Sequence, residues 1–193
     1  VADHDAIRST IAAIAAAFGR LDIIVNNAGV SSFAPLDAGD DYAAVWNRAL
    51  AVMLTAHQRI VRAALPLLQQ SDAARIVNIA SLSSFVSLYE VAAYAASKAA
   101  VASLTKSLAI EWGPKGVLVN AIAPGVFPTP LNRALLEGTP RGQEFITRTP
   151  LKRFGNVDEL AGTAILLCSD AASYINGEVI AVDGGFLASG VNQ

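Results

Sequence analysis

The sequence predicts an α/β fold in which a doubly wound parallel sheet carries helices on both faces. Three observations lead there. Segments with helical spacing alternate with short apolar runs. Those runs are continuously apolar rather than alternating, as strands buried on both faces are. Polar and Gly residues cluster where the runs end, at Asn26 to Gly29, at Ser81 and at Pro124 to Thr129. In open parallel sheets, ligands sit beyond the carboxyl ends of the strands. Three neighbouring strand ends should therefore line one crevice.

The elements follow in order. An Ala-rich helix is predicted from about Asp5 to Phe18, closed by Gly19 just past its end. "LDIIVNNAG" (21–29) reads as a buried strand and a turn. A long helical stretch runs from about Asp41 to Leu68, and "RIVNIAS" (75–81) is the next strand. Helical spacing resumes from about Ala92 to Trp112, and "GVLVNAIAP" (116–124) is a third strand. An irregular segment with four prolines between Pro124 and Pro140 comes next. A helix from about Val157 to Cys168 then leads to a last strand in "EVIAVDGG" (178–185).

With 193 residues the chain can bury a full core, and no break in composition divides 1–193 into more than one domain. Charged residues make up 16% of the chain and the net charge is −2, so there is no basic footprint for nucleic acid or an anionic membrane. Charge, Gly or Pro interrupts every apolar stretch before it could span a bilayer. The single cysteine, Cys168, fits a reducing cytoplasm. His4 and His57 lack metal-ligand spacing and read as surface or satisfied structural histidines.

The chemistry centres on "YAASK" (94–98). Tyr94 and Lys98 stand at i and i+4 and share one helix face. Val101, Thr105 and Leu108 continue that face as an increasingly apolar stripe, which sets the pair at the buried edge of the helix. The spacing alone is common among surface helices. Ser81 strengthens it, because a strand end thirteen positions before Tyr94 can fold back and bring a hydroxyl beside the phenol. A free phenol has a pKa of about 10, and a neighbouring ammonium favours the phenolate. Lowering it to about 7 or 8 takes roughly 3–4 kcal/mol.

Together with NNAG at 26–29, PGVFPT at 124–129 and VDGG at 182–185, this pattern resembles the classical short-chain dehydrogenase/reductase family along essentially the whole chain. The resemblance implies a Rossmann-like fold and an NAD- or NADP-dependent oxidoreductase that interconverts a carbonyl and an alcohol. It implies Tyr94 as general acid/base, Lys98 as the residue that lowers the tyrosine pKa and binds the nicotinamide ribose, and Ser81 as the residue that holds the substrate oxygen. It implies cofactor contacts from Asn27, Ala28 and Gly29, and from Pro124, Gly125, Phe127 and Thr129. Val1 would lie near the adenine. Relatives are often dimers or tetramers, and Ala95, Ala99, Ala102 and Ser103 would permit close helix packing between copies. They would equally well pack on the sheet.

Two departures from the family pattern stand out. In "LAVMLTAHQ" (50–58), Met53 takes the place of an Asn that supports a water linked to the lysine. This is either a tolerated core substitution or the mark of a slowed proton relay. The Gly-rich phosphate turn and the first three strands of the usual sheet are also absent, which implies an N-terminally incomplete domain. Weak dinucleotide binding by these residues alone, and an exposed edge at 22–27, are the consequences expected. The alternative to an enzyme is a non-catalytic binding or assembly subunit of the same fold. The segment Leu131–Leu151 reads as a lid over the substrate or as a connecting loop. Phe85, Val86, Leu88 and Phe127 suggest a hydrophobic carbonyl substrate, although any interior of this composition would supply such residues.

Overall fold

The computed structural model describes residues 1–39 and 41–190. Four parallel strands form one sheet in the order β1 (Ile23–Asn26), β2 (Arg75–Ile79), β3 (Leu118–Pro124), β4 (Val179–Val182). These are the four strands that the apolar runs predict.

Before β1, α1 (His4–Phe18) is capped by the Asp3 carboxylate, which accepts from the backbone N–H groups of Asp5 and Ala6. Gly19, in the left-handed region at φ 69°, closes it. The predicted helix at 41–68 proves to be two: α2 (Tyr42–Leu50) and α3 (Ala56–Leu68), joined by a π-helical turn at Ala51–Thr55. Such turns interrupt helices most often at functional sites. Further on, α4 (Ala92–Trp112) runs beside the sheet, and α7 (Ala161–Leu167) follows a short 3₁₀ turn at Val157–Leu160.

Helices cover both faces, but unequally. On one side Ile24, Ile76 and Val119 pack with Val61, Ala64 and Leu68 of α3 and with Leu108, Ala109 and Trp112 of α4. On the other, Val77 and Ile122 pack on Leu167 of α7 and on Ala172. Strands β2 and β3, covered on both faces, are buried almost throughout. In β1, Ile24 and Asn26 are buried while Ile23 and Val25 are exposed. The β1 sequence is continuously apolar, yet its burial alternates because only one face has a helix against it. The strand is also the edge of the sheet, as expected.

The segment 131–151, which reads from sequence as a lid or a connecting loop, contains α5 (Arg133–Leu136) and α6 (Pro140–Arg148). The Thr139 hydroxyl accepts from the Gly142 N–H, and Pro140 occupies the first turn of α6. Gly142 allows α6 to approach α5, since a Cβ there would fall 1.7 Å from the Leu136 carbonyl oxygen. Among the described residues, no helix is long and apolar enough to cross a membrane, and no group of His, Cys, Asp and Glu could hold a metal ion.

Candidate active site

The carboxyl ends of β1, β2 and β3 converge as predicted. A buried polar chain ties them together. Asn26 donates to Asn78 (2.8 Å), Asn78 donates to Thr105 on α4 (2.9 Å), and Thr105 donates to the Val101 carbonyl (2.8 Å). Each member is satisfied by the next, so the chain fixes α4 against the sheet without leaving an unpaired group. Asn78 escaped the sequence reading because its partners lie 52 and 27 residues away. Within NNAG, Asn26 thus serves the fold, whereas Asn27 and Gly29 are exposed beyond the strand. Nothing in the protein lies closer than 3.9 Å to a Cβ built at Gly29.

Ser81 follows the end of β2 by two residues and caps a 3₁₀ turn at Leu82–Ser84. Its hydroxyl accepts from the Ser83 N–H at 3.1 Å, its own N–H donates to Ser84 Oγ, and Ser84 in turn donates to the Lys98 carbonyl at 2.7 Å. The loop is thereby pinned to α4, and the Ser81 hydroxyl lies where it acts on the Tyr94 phenol.

Lys98 is buried, with 4% of its surface exposed, and its Nζ donates to the Ile79 carbonyl at 2.6 Å. Burial lowers its pKa to about 8. The ammonium lies 5.8 Å from the centroid of the Tyr94 ring. The expected lowering of the tyrosine pKa is not found in the protein alone. Burial pushes the phenol above its ordinary value, and the Ser81 hydroxyl only partly offsets this. Lys98 is anchored to a backbone carbonyl rather than to the phenol, which explains the difference.

Tyr94 and Ser81 share a cavity of about 160 Å³ with Val30, Ser31, Ser32, Leu88, Asn132 and Arg141, among others. Leu131, Leu135 and Leu136 at α5 and Arg141 and Phe145 of α6 wall one side, so 131–151 is a folded cover over the site. Arg141 is the one charged side chain lining it among the described residues. Its guanidinium lies 5.2 Å from the Phe33 ring centroid and donates to the Tyr89 carbonyl at 3.1 Å. Sequence reading missed Arg141 because nothing in its local pattern marks it. Of the four apolar residues taken as pocket residues, only Leu88 lines this cavity; Phe85 and Val86 are exposed.

The segment after β3 mixes site and scaffold. Gly125 is needed where the chain crosses Asp183, because a Cβ would meet Asp183 Cα at 2.6 Å. Phe127 is buried, its ring packed against Gly155, and its carbonyl accepts from Asn132. Thr129 donates to Asn132 through both its N–H and its hydroxyl. In VDGG, the Asp183 carboxylate accepts from the Gly185 and Leu187 N–H groups and holds a turn. Val1 lines a separate apolar groove with Ile7, Ile11 and Ile23, outside the Tyr94 cavity.

Met53 is fully buried with Ala49 and Ala93, and Tyr94 packs against this cluster, so it fills the core beneath the site. His57 corrects an expectation. It is neither a surface residue nor a satisfied one, being 1% exposed with no hydrogen-bond partner on either ring nitrogen.

The family model for enoyl-(acyl carrier protein) reductase matches residues 1–187. The chain belongs to the short-chain dehydrogenase/reductase family. It is 40% identical over 186 residues to 2-dehydro-3-deoxy-D-gluconate 5-dehydrogenase of Pseudoalteromonas atlantica, covering 96% of this chain and 72% of the relative. It is also 40% identical to D-threitol dehydrogenase of Mycolicibacterium smegmatis, covering 96% and 70%. A gluconate 5-dehydrogenase from Burkholderia cenocepacia, solved in complex with NADP and tartrate, superposes with a TM-score of 0.92 at 38% identity, over 98% of this chain and 73% of that one. This short-chain dehydrogenase/reductase is thus an NAD(P)-dependent oxidoreductase that interconverts a carbonyl and an alcohol by hydride transfer.

The residues present fit the dinucleotide cofactor of that family. Lys98 spends one N–H on Ile79 and keeps others for hydroxyls in the cleft. Gly29 is exposed beyond β1.

Proposed function

We propose that Tyr94, Ser81 and Lys98 carry the reaction and that the substrate is a small polyhydroxylated acid. The observation behind this reading is the single cavity in which the Ser81–Tyr94 pair faces Arg141. The nicotinamide supplies or takes the hydride. Tyr94 gives its phenolic proton to the carbonyl oxygen in reduction and receives it in oxidation. Ser81 donates a hydrogen bond to the same oxygen. Lys98, held by Ile79, is positively charged below its pKa of about 8 and offsets the charge that Tyr94 acquires as it gives up its proton.

Asn27, Ala28 and Gly29 after β1, and Pro124, Gly125, Thr129 and the backbone of Phe127 after β3, would hold the cofactor, with Val1 at its adenine end. Tyr94 and Lys98 would face its nicotinamide end.

A cavity of about 160 Å³ is small beside ordinary ligand sites, which favours a compact substrate. Ser31, Ser32 and Asn132 offer hydroxyl and amide partners, and Arg141 offers a carboxylate its one cation. The tartrate complex of the Burkholderia relative is consistent with a hydroxy acid in such a site. The lone Cys168 favours the cytoplasm. Resemblance to the family favours a homodimer or homotetramer.

The test is turnover by the full-length protein, with NADPH or NADH, of 5-keto-D-gluconate against uncharged ketones of similar length. Preference for the acid is expected. A preference for a neutral ketone, or for D-threitol in the oxidative direction, would refute the acidic substrate.

A further inference from the structure

Among the described residues five serines are buried, and three of them use their hydroxyls within the protein. Ser71 donates to Asp22, Ser97 donates to the Tyr94 carbonyl at 2.7 Å, and Ser81 accepts from the Ser83 N–H. Ser32 and Ser83 are the exceptions. They are 6% and 4% exposed, and neither hydroxyl makes a hydrogen bond among the described residues. Both line the Tyr94 cavity, Ser32 from the loop after β1 and Ser83 from the 3₁₀ turn that Ser81 caps. Buried polar groups are nearly always paired, so two spare hydroxyls on one cavity point to a partner that enters it. Ser31, by contrast, is exposed, and Asn132 spends its carbonyl on Thr129 and an amide N–H on Phe127.

We propose that Ser32 and Ser83 are specificity-determining residues that read two neighbouring hydroxyls of the substrate, so that the cavity selects ketones flanked by hydroxyls. The turn after β2 sets the order. The Ser83 N–H donates to Ser81 at 3.1 Å, and Ser84 ties the same turn to the Lys98 carbonyl at 2.7 Å, which fixes Ser83 beside Ser81. With the carbonyl oxygen held at Ser81, Ser83 receives the hydroxyl on the adjoining carbon and Ser32 the next one. A serine hydroxyl both donates and accepts, as a substrate hydroxyl does, so each pair has a free choice of direction. A ligand without those hydroxyls shuts both serines off from water and returns no hydrogen bond.

The inference rests on the reading of this cavity as the substrate site of Tyr94 and Ser81. Its test is calorimetric binding to the full-length protein with oxidised cofactor, where ketones bind without turnover. Two pairs of ligands keep the carbonyl and differ in hydroxyls: L-erythrulose against butanone, which are neutral, and 5-keto-D-gluconate against 5-oxohexanoate, which are acids. Within each pair the hydroxylated member should bind about a hundredfold tighter. Ser32→Ala and Ser83→Ala should each cut that ratio roughly fivefold to a hundredfold, the value of one buried hydroxyl left unpaired. Since neither hydroxyl is bonded within the protein, both variants should unfold at the unaltered temperature or above it. Equal affinities within both pairs, ratios that survive both substitutions, or a lowered unfolding temperature in the variants would overturn the inference. The underlying reading fails by a different result: full turnover in Tyr94→Phe would refute it and leave the affinity ratios as they are.

Discussion

Replacing Lys98 with Met should stabilise the protein near neutral pH while ending its turnover. The magnitude follows from burial. The lysine pKa falls from 10.5 to about 8 on folding, because the ammonium gives up most of its hydration. At about 1.36 kcal/mol per pH unit, this costs the folded state roughly 3 kcal/mol wherever both states are protonated, which is below pH 8. Between pH 8 and 10.5 the unfolded chain binds a proton that the folded chain does not, so this contribution rises with pH and the cost fades. By pH 9.5 it is about 1.5 kcal/mol. Met keeps the apolar stem but leaves the Ile79 carbonyl without its donor, at about 1–2 kcal/mol. The net gain at pH 7 should therefore be about 1–2 kcal/mol, vanishing or reversing by pH 9.5. Urea unfolding of both proteins at the two pH values measures it, and subtracting one from the other cancels titrations they share. Parallel pH–stability curves would refute the claim that a buried, charged Lys98 is held at a cost to the fold.

Two other substitutions separate site from scaffold. Gly125→Ala should destabilise the protein by about 1–3 kcal/mol in thermal unfolding, because its Cβ would lie 2.6 Å from Asp183 Cα and the contact is backbone to backbone. Arg141→Leu should raise KM for an acidic ketone by roughly tenfold to a hundredfold, the value of one charged hydrogen bond, and leave a neutral ketone unaffected; equal effects on both would remove Arg141 from substrate recognition.

Much of this was legible in the sequence. The strand ends were marked by residues that interrupt apolar runs; the Tyr94–Lys98 spacing is common, and Ser81 together with the strand-end motifs that resemble a known family singled the three residues out. What local pattern could not show was any property set across the fold. The alternating burial of β1 depends on which face receives a helix, not on its own four residues. The packing of the Phe127 ring depends on Gly155, far along the chain, which makes the space that takes it. His57 looked ordinary because only the folded chain shows it buried with both ring nitrogens unpartnered. Arg141 belongs to the site through α6, a helix hidden in a proline-bearing stretch. Spacing set Tyr94 at the buried edge of its helix, but it did not show that burial outweighs the ammonium in setting the phenol pKa.

The central claim is that Tyr94 is the proton donor to the substrate carbonyl. Its most direct test is Tyr94→Phe in the full-length protein, which removes one oxygen and keeps the ring that packs against the Met53 cluster. Reduction of the best ketone should slow by about 10²–10⁴, with dinucleotide affinity and thermal stability little changed. Turnover within tenfold of the unaltered protein would contradict the account.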